Sequence, residues 1–150
     1  ETKRNLEDRL LLFYTGITRS ADPILAKQTK NMASQKDKRA TMQEMVLLAG
    51  KMQDALNNNN LDAFGEMLHE NWILKKQMAE GVSSSQIDKW YETALANGAI
   101  GGKLLGAGGG GFLFFYAPED KHKKIIDSLS DLAYQKFSFE PQGSKIIFID

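Results

Sequence analysis

The sequence predicts an α+β fold, an antiparallel four-stranded sheet covered by helices. Three observations predict it. Two continuous apolar runs, Leu10 to Tyr14 and Phe112 to Tyr116, have the length and character of buried strands. Long stretches between them carry apolar residues every three or four positions, the mark of amphipathic helices. These helices are bunched rather than alternating with strands, which argues against β-α-β units and a parallel sheet.

The first strand stops at the polar turn Thr15 to Ser20. Asp22 before Pro23 reads as an N-cap with proline at the first helical position, opening a helix to about Met32. Ser34 to Arg39 form a charged connection. Met42, Met45, Leu48, Met52, Ala55 and Leu56 then make one apolar stripe on a helix from about Asp37 to Leu56. Asn57 to Asn60 read as a turn, with Asn60 capping a helix whose Leu61, Phe64, Leu68 and Trp72 share one face. Gly81 ends that helix, and Ser83 with Gln86 match the capping box of the next. Ile87, Trp90, Tyr91, Ala94 and Leu95 form its buried stripe, and Gly98 is its stop. After a strand-like glycine segment and the strand Phe112 to Tyr116, Ile125, Ile126, Leu129, Leu132 and Ala133 mark a last helix. Phe137, Phe139 and Ile146 to Ile149 point to a closing hairpin around Pro141 to Ser144.

A length of 150 residues favours one domain, and 42% hydrophobic residues supply one ordinary core. Nineteen basic and nineteen acidic residues give a net charge of +0. That balance argues against a chain built to grip nucleic acid or a membrane surface. The absence of cysteine excludes disulfides and thiolate chemistry and fits a reducing, cytoplasmic setting. With only two histidines besides, a metal site built wholly from this chain is not expected. No apolar run approaches the roughly 20 residues of a membrane span. The chain starts without methionine or a signal peptide, so it is expected to be a piece of something longer.

Eight of the thirteen glycines lie between Gly98 and Gly111, in GAIGGKLLGAGGGG. Each ordered glycine costs roughly 0.5–1 kcal/mol relative to alanine, so four in a row, Gly108 to Gly111, need a reason. A bulge or a close helix contact usually needs one glycine. Several together allow backbone amides to point into a concave nest that holds an anion, and Lys103 supplies a cation beside it. Known phosphate motifs fit poorly. Gly106, Gly108 and Gly111 satisfy G-x-G-x-x-G, but a strand follows where the dinucleotide fingerprint opens a helix. Gly102-Lys103 is followed by Leu104, which breaks the phosphate loop G-x-x-x-x-G-K-S/T. Laid on Gly108 to Phe115, the RNA-recognition pattern matches at Gly109, Gly111, Phe112 and Phe115, yet glycine stands in place of the leading basic residue and of the first stacking aromatic.

Taken whole, Gly98 to Gly111 resembles the third motif of the GHMP kinases, approximately G-A-x-G-x-K-x-x-G-A-G-x-G-G before an apolar strand. Ala99, Gly101, Lys103, Gly106, Ala107, Gly108, Gly110 and Gly111 fall in register. Gly81-Val82-Ser83, Ile87, Ala94 and Gly98 are similar to that family's approach to the motif. FYTGITRSADPIL resembles the branch that phosphorylates D-glycero-D-manno-heptose phosphate. The resemblance covers nearly the whole chain, as the ferredoxin-like C-terminal half of such an enzyme.

It implies a kinase in which ATP-Mg²⁺ and a sugar or sugar phosphate meet in a cleft between two domains. The main ATP loop (P-x-x-x-G-L-G-S-S) and the acidic base belong to an N-terminal domain absent from this chain. Neither a catalytic residue nor turnover is therefore expected here. Lys103, Gly106, Ala107, Gly108, Gly109 and Gly110 are expected beside the ATP phosphates. Thr15, Thr18 and Arg19, after the first strand, and His69, in LHENW, are the expected substrate contacts. An apolar interface patch is expected beside the glycines. His122 and the cluster Lys27, Lys30, Lys36, Lys38 and Arg39 read as solvated faces. The oligomeric state is left open. The alternative is a free-standing ferredoxin-like module whose glycine nest holds a phosphorylated metabolite.

Overall fold

The structure, a computed structural model, describes residues 1–140. Ten elements follow one another: α1 (Thr2–Glu7), β1 (Leu10–Tyr14), α2 (Asp22–Ser34), α3 (Lys36–Asn57), α4 (Leu61–Lys76), α5 (Ser85–Ala96), β2 (Gly101–Leu104), β3 (Phe112–Tyr116), α6 (Glu119–Ser128) and β4 (Ala133–Gln135). The strands form one antiparallel sheet in the order β2-β3-β1-β4. The expected α+β class and strand number hold. The hairpin placed around Pro141 to Ser144 lies outside the described residues.

Both apolar runs are fully covered on one face and partly covered on the other, which is why neither alternates in polarity. Leu10 pairs with Tyr116 and Tyr14 with Phe112, so the runs lie side by side at the sheet centre. Leu11, Phe13, Leu113, Phe115 and Leu104 point to one face, where Ile87, Tyr91 and Ala94 of α5 and Ile125 of α6 cover them. On the other face Leu10 and Tyr116 meet Leu61 and Leu68 of α4. That cover gives out toward the far ends of β1 and β3, and Phe112 is left 38% exposed.

Glycine sets how closely α4 can lie on the sheet. A Cβ built on Gly65 would stand 2.3 Å from the Tyr116 ring. Any larger residue would push helix and strand apart.

The boundaries differ from the sequence expectations in six places. α1 carries no apolar stripe and was not foreseen. α2 begins at Asp22, which makes no capping bond, and Ala21 is the N-cap. The expected connection from Ser34 to Arg39 shrinks to Gln35, whose extended backbone breaks α2 from α3. α4 ends at Lys76, with Gln77 as its C-cap, and not at Gly81. Ser84, not Ser83, caps α5, its hydroxyl accepting from the Ile87 N–H at 3.3 Å. Ser83 donates instead to Asp88 at 2.9 Å, which removes it from the proposed capping box. Lastly, α6 stops at Ser128, and Ala133 opens β4 opposite Tyr14 rather than ending a helix. Leu129 and Leu132 are buried from the connecting turn, so their spacing imitated a helical stripe. Asn60 caps α4 as expected, accepting from Ala63 N–H at 3.4 Å. Gly98 stops α5 with φ +112°.

Candidate functional site

The glycine segment divides in two. Gly101 to Leu104 are β2, and residues 105–111 are the loop to β3, closed by the Leu105 N–H on the Phe112 carbonyl at 2.9 Å. Gly106, Gly108, Gly109 and Gly111 all have positive φ. Two other turns clamp this loop. The Gly109 N–H donates to Val82 O at 2.9 Å, and a Cβ on Gly108 would lie 2.7 Å from the Val82 backbone. On the other flank the Gly111 N–H donates to Ile17 O at 2.8 Å, and a Cβ on Gly110 would lie 2.4 Å from the same oxygen. Gln28 of α2 adds a bond from its side-chain amide to the Ala107 carbonyl at 3.3 Å.

The clamp leaves donors over. Among the described residues, the N–H groups of Gly106, Ala107, Gly108 and Gly110 donate to no protein acceptor. Gly106 is exposed, and the other three are part-exposed. Backbone donors in a loop that mixes positive and negative φ are the makings of an anion nest.

Two lysines stand beside this loop. Lys103 of β2 donates from Nζ to Asn71 Oδ1 at 2.9 Å. Lys75, one turn after Asn71 on α4, donates from Nζ to the Gly106 carbonyl. Among the described residues, neither has a carboxylate within ion-pair distance. Burial lowers the Lys103 ammonium below its usual range. Burial and then the neighbouring Lys103 charge lower Lys75 to about 8. Uncompensated positive charge next to unpaired amides can take up an anion.

Thr15 is buried with its hydroxyl fully engaged. It donates to Gly111 O at 2.8 Å and accepts from the Ile17 N–H at 3.2 Å, so its work is to hold the loop. Thr18 Oγ1 lies 3.1 Å from the Tyr14 hydroxyl. Arg19 runs beside Gly109 and lines a cavity of about 300 Å³ with Ser20, Pro23, Ile24, Lys27 and Glu80. His69 sits behind β2: its Nδ1 is 2.8 Å from the Tyr91 hydroxyl, which donates to Gly102 O at 3.1 Å. Because Tyr91 gives its proton to Gly102, His69 Nδ1 is the donor in that pair. Burial raises the Tyr91 hydroxyl, keeping it protonated.

The structure thus gathers Lys103, Gly106 to Gly110, Thr15 and Arg19 around one loop and sets Thr18 beside Tyr14 at its margin, whereas His69 packs on Tyr91 behind β2 and is not brought to the loop. Leu105 and Phe112, at the two ends of the loop, are 37% and 38% exposed. Lys75 was missed. Its sequence signal was a lysine one turn beyond Asn71 on a helix whose other inward residues are apolar. Among the described residues no group of three or more His, Asp or Glu side chains is placed to hold a metal ion.

Residues 52–135 match the family described as GHMP kinases C terminal. The chain is 35% identical over 142 residues to the D-glycero-alpha-D-manno-heptose 7-phosphate kinase of Campylobacter jejuni, a match covering 93% of this chain and 42% of that protein. It is 33% identical over 135 residues to the bifunctional fucokinase/GDP-fucose pyrophosphorylase of Arabidopsis thaliana, covering 85% of this chain and 12% of that one. Mevalonate kinase of L. major, solved with R-mevalonate, shares the fold with a TM-score of 0.75 at 24% identity, over 81% of this chain and 37% of that one. Methanococcus jannaschii mevalonate kinase does so with a TM-score of 0.68 at 21% identity, over 90% and 41%. The chain spans less than half the length of each of these proteins. Sequence match, fold and glycine loop agree, and the chain belongs to the GHMP kinases as their C-terminal domain.

Proposed function

We propose that this domain is the C-terminal half of an ATP-dependent kinase that moves the γ-phosphoryl group to a hydroxyl of a sugar of the heptose phosphate class. One observation carries the reading. Unpaired amides at Gly106, Ala107, Gly108 and Gly110 share a clamped loop with two lysines that have no acidic partner among the described residues. The heptose phosphate class is supported by the match to the Campylobacter kinase.

Phosphoryl transfer depends mainly on positioning and on stabilising charge spread over the phosphate oxygens. The free amides would donate to those oxygens, and Lys103 would offset their charge. Thr15 and Gln28 fix the loop beforehand, so little order is lost when phosphate arrives. Arg19 and Thr18, and His69 from α4, would meet the sugar. ATP and its Mg²⁺ would be held mainly by an N-terminal domain of the same enzyme, which meets this one near Leu105 and Phe112. The setting is cytoplasmic, and the 150-residue chain alone does not turn over.

The test is Lys103→Ala in the full-length enzyme. The expected result is a fall in kcat/KM of roughly 10²-fold with little change in Tm. Unchanged activity, or a loss of folding that accounts for the whole effect, would overturn the assignment.

A further inference from the structure

Lys75 and Lys76 are neighbours in sequence but differ in surroundings. Lys76 Nζ lies 3.1 Å from Asp88 Oδ1, an ordinary ion pair. Lys75 is half-buried, and among the described residues it has no carboxylate partner. Its ammonium is tied to the carbonyl of Gly106, the first residue of the run of free amides. Lys103, from the adjacent strand, is the charged group that acts on it, and the sign is the same. A lysine serving stability alone would sit beside an acid or reach into water. Here two part-exposed cations lie near each other with no acid partner among the described residues, and Lys103 rests on a neutral acceptor, Asn71.

We propose that Lys75 is the cation that determines specificity at this loop: with Lys103 and the amides of Gly106, Ala107 and Gly108 it binds a dianionic phosphoryl group. The inference rests on the kinase reading and adds a residue and a ligand charge to it. Lys75 places its charge at the mouth of the nest, and Lys103 places a second on the strand leading into it. A dianion matches two cations, whereas a neutral hydroxyl matches neither. The dianion is the terminal phosphate of a nucleotide or the phosphate already carried by a sugar.

Inorganic phosphate, titrated into the ¹⁵N-labelled 150-residue chain, reads the site through the amide shifts of Gly106 to Gly110. The expected result is saturable shifts, weakened roughly ten- to a hundredfold by Lys75→Met. Lys75→Arg, which keeps the cation, restores binding, and Lys76→Met leaves it unchanged. Dispersed spectra of each variant report that the fold is intact. In the full-length enzyme Lys75→Met then distinguishes the two sources: a raised KM for ATP assigns the nucleotide phosphate, and a raised KM for the sugar phosphate assigns the substrate's own. Wild-type binding by Lys75→Met overturns the role of Lys75 and leaves the kinase reading standing. No phosphate response in the wild-type chain overturns both. Unchanged KM values for both substrates overturn the inference alone.

Discussion

Gly101 lies against Gly65 so closely that a Cβ built on Gly101 would stand 2.0 Å from the Gly65 carbonyl oxygen. Through this contact α4 rides directly on β2. The helix can then present Asn71 to Lys103, and Lys75 to the glycine loop. A glycine pair far from the free amides thus determines where the second lysine ends up.

Gly101→Ala should therefore cost about 3 kcal/mol or more in urea unfolding, because the atom in its way is backbone and cannot turn aside. Gly106→Ala is the comparison. A Cβ there meets open space, and only the backbone at φ +79° resists it, a cost of about 1–2 kcal/mol. Equal losses at the two positions would show that helix and strand have room to separate.

Thr15→Val keeps the shape of a buried side chain and deletes its two hydrogen bonds. The Gly111 carbonyl retains the Thr15 N–H at 2.9 Å, but the Ile17 N–H loses its acceptor. A stability loss of about 1–2 kcal/mol is expected. Amide hydrogen exchange should also accelerate at Ile17 and Gly111, whose bonds depend on this turn. A uniform change across the chain, with none concentrated there, would show that Thr15 does not hold the loop.

Stability should rise with pH above about 8. Lys75 holds its proton less tightly in the folded chain, at about 8 against an ordinary 10.5, so between those values the unfolded chain binds more protons. Unfolding free energy increases with pH wherever that is so. Lys103 is shifted in the same direction. Tyr91 and Tyr116, both raised, act oppositely once unfolded tyrosines ionise near pH 10, so the rise is read between about pH 8 and 10. Urea midpoints across that range should climb for the wild type and flatten for Lys75→Met. A flat wild-type profile would mean that Lys75 is solvated.

The strands at the sheet centre were legible because continuous apolar runs of five residues fit few other places. The Asn60 cap and the Gly98 stop were legible because they rest on bonds and angles within a few residues. β4 was not, since Ala133 to Gln135 carry no apolar pattern and are exposed. They are strand only because β1 offers them a free edge. The capping box failed on a choice between adjacent serines, which the position of Asp88 decided. At the site, the glycines and Lys103 stood out by residue type and crowding. Lys75 did not, being one lysine of a pair on a helix, and the paired Lys76 looks the same in sequence.

The sequence by itself determined the class of fold, the family and the position of the crowded glycine loop, because these follow from local patterns and residue types. The tertiary structure decided that Thr15 is spent on holding the loop and, among the described residues, which amides stay unpaired and that Lys75 faces the glycines without an acid. Those outcomes depend on how far one backbone lies from another, a distance that the α4–β2 contact sets and local pattern does not encode.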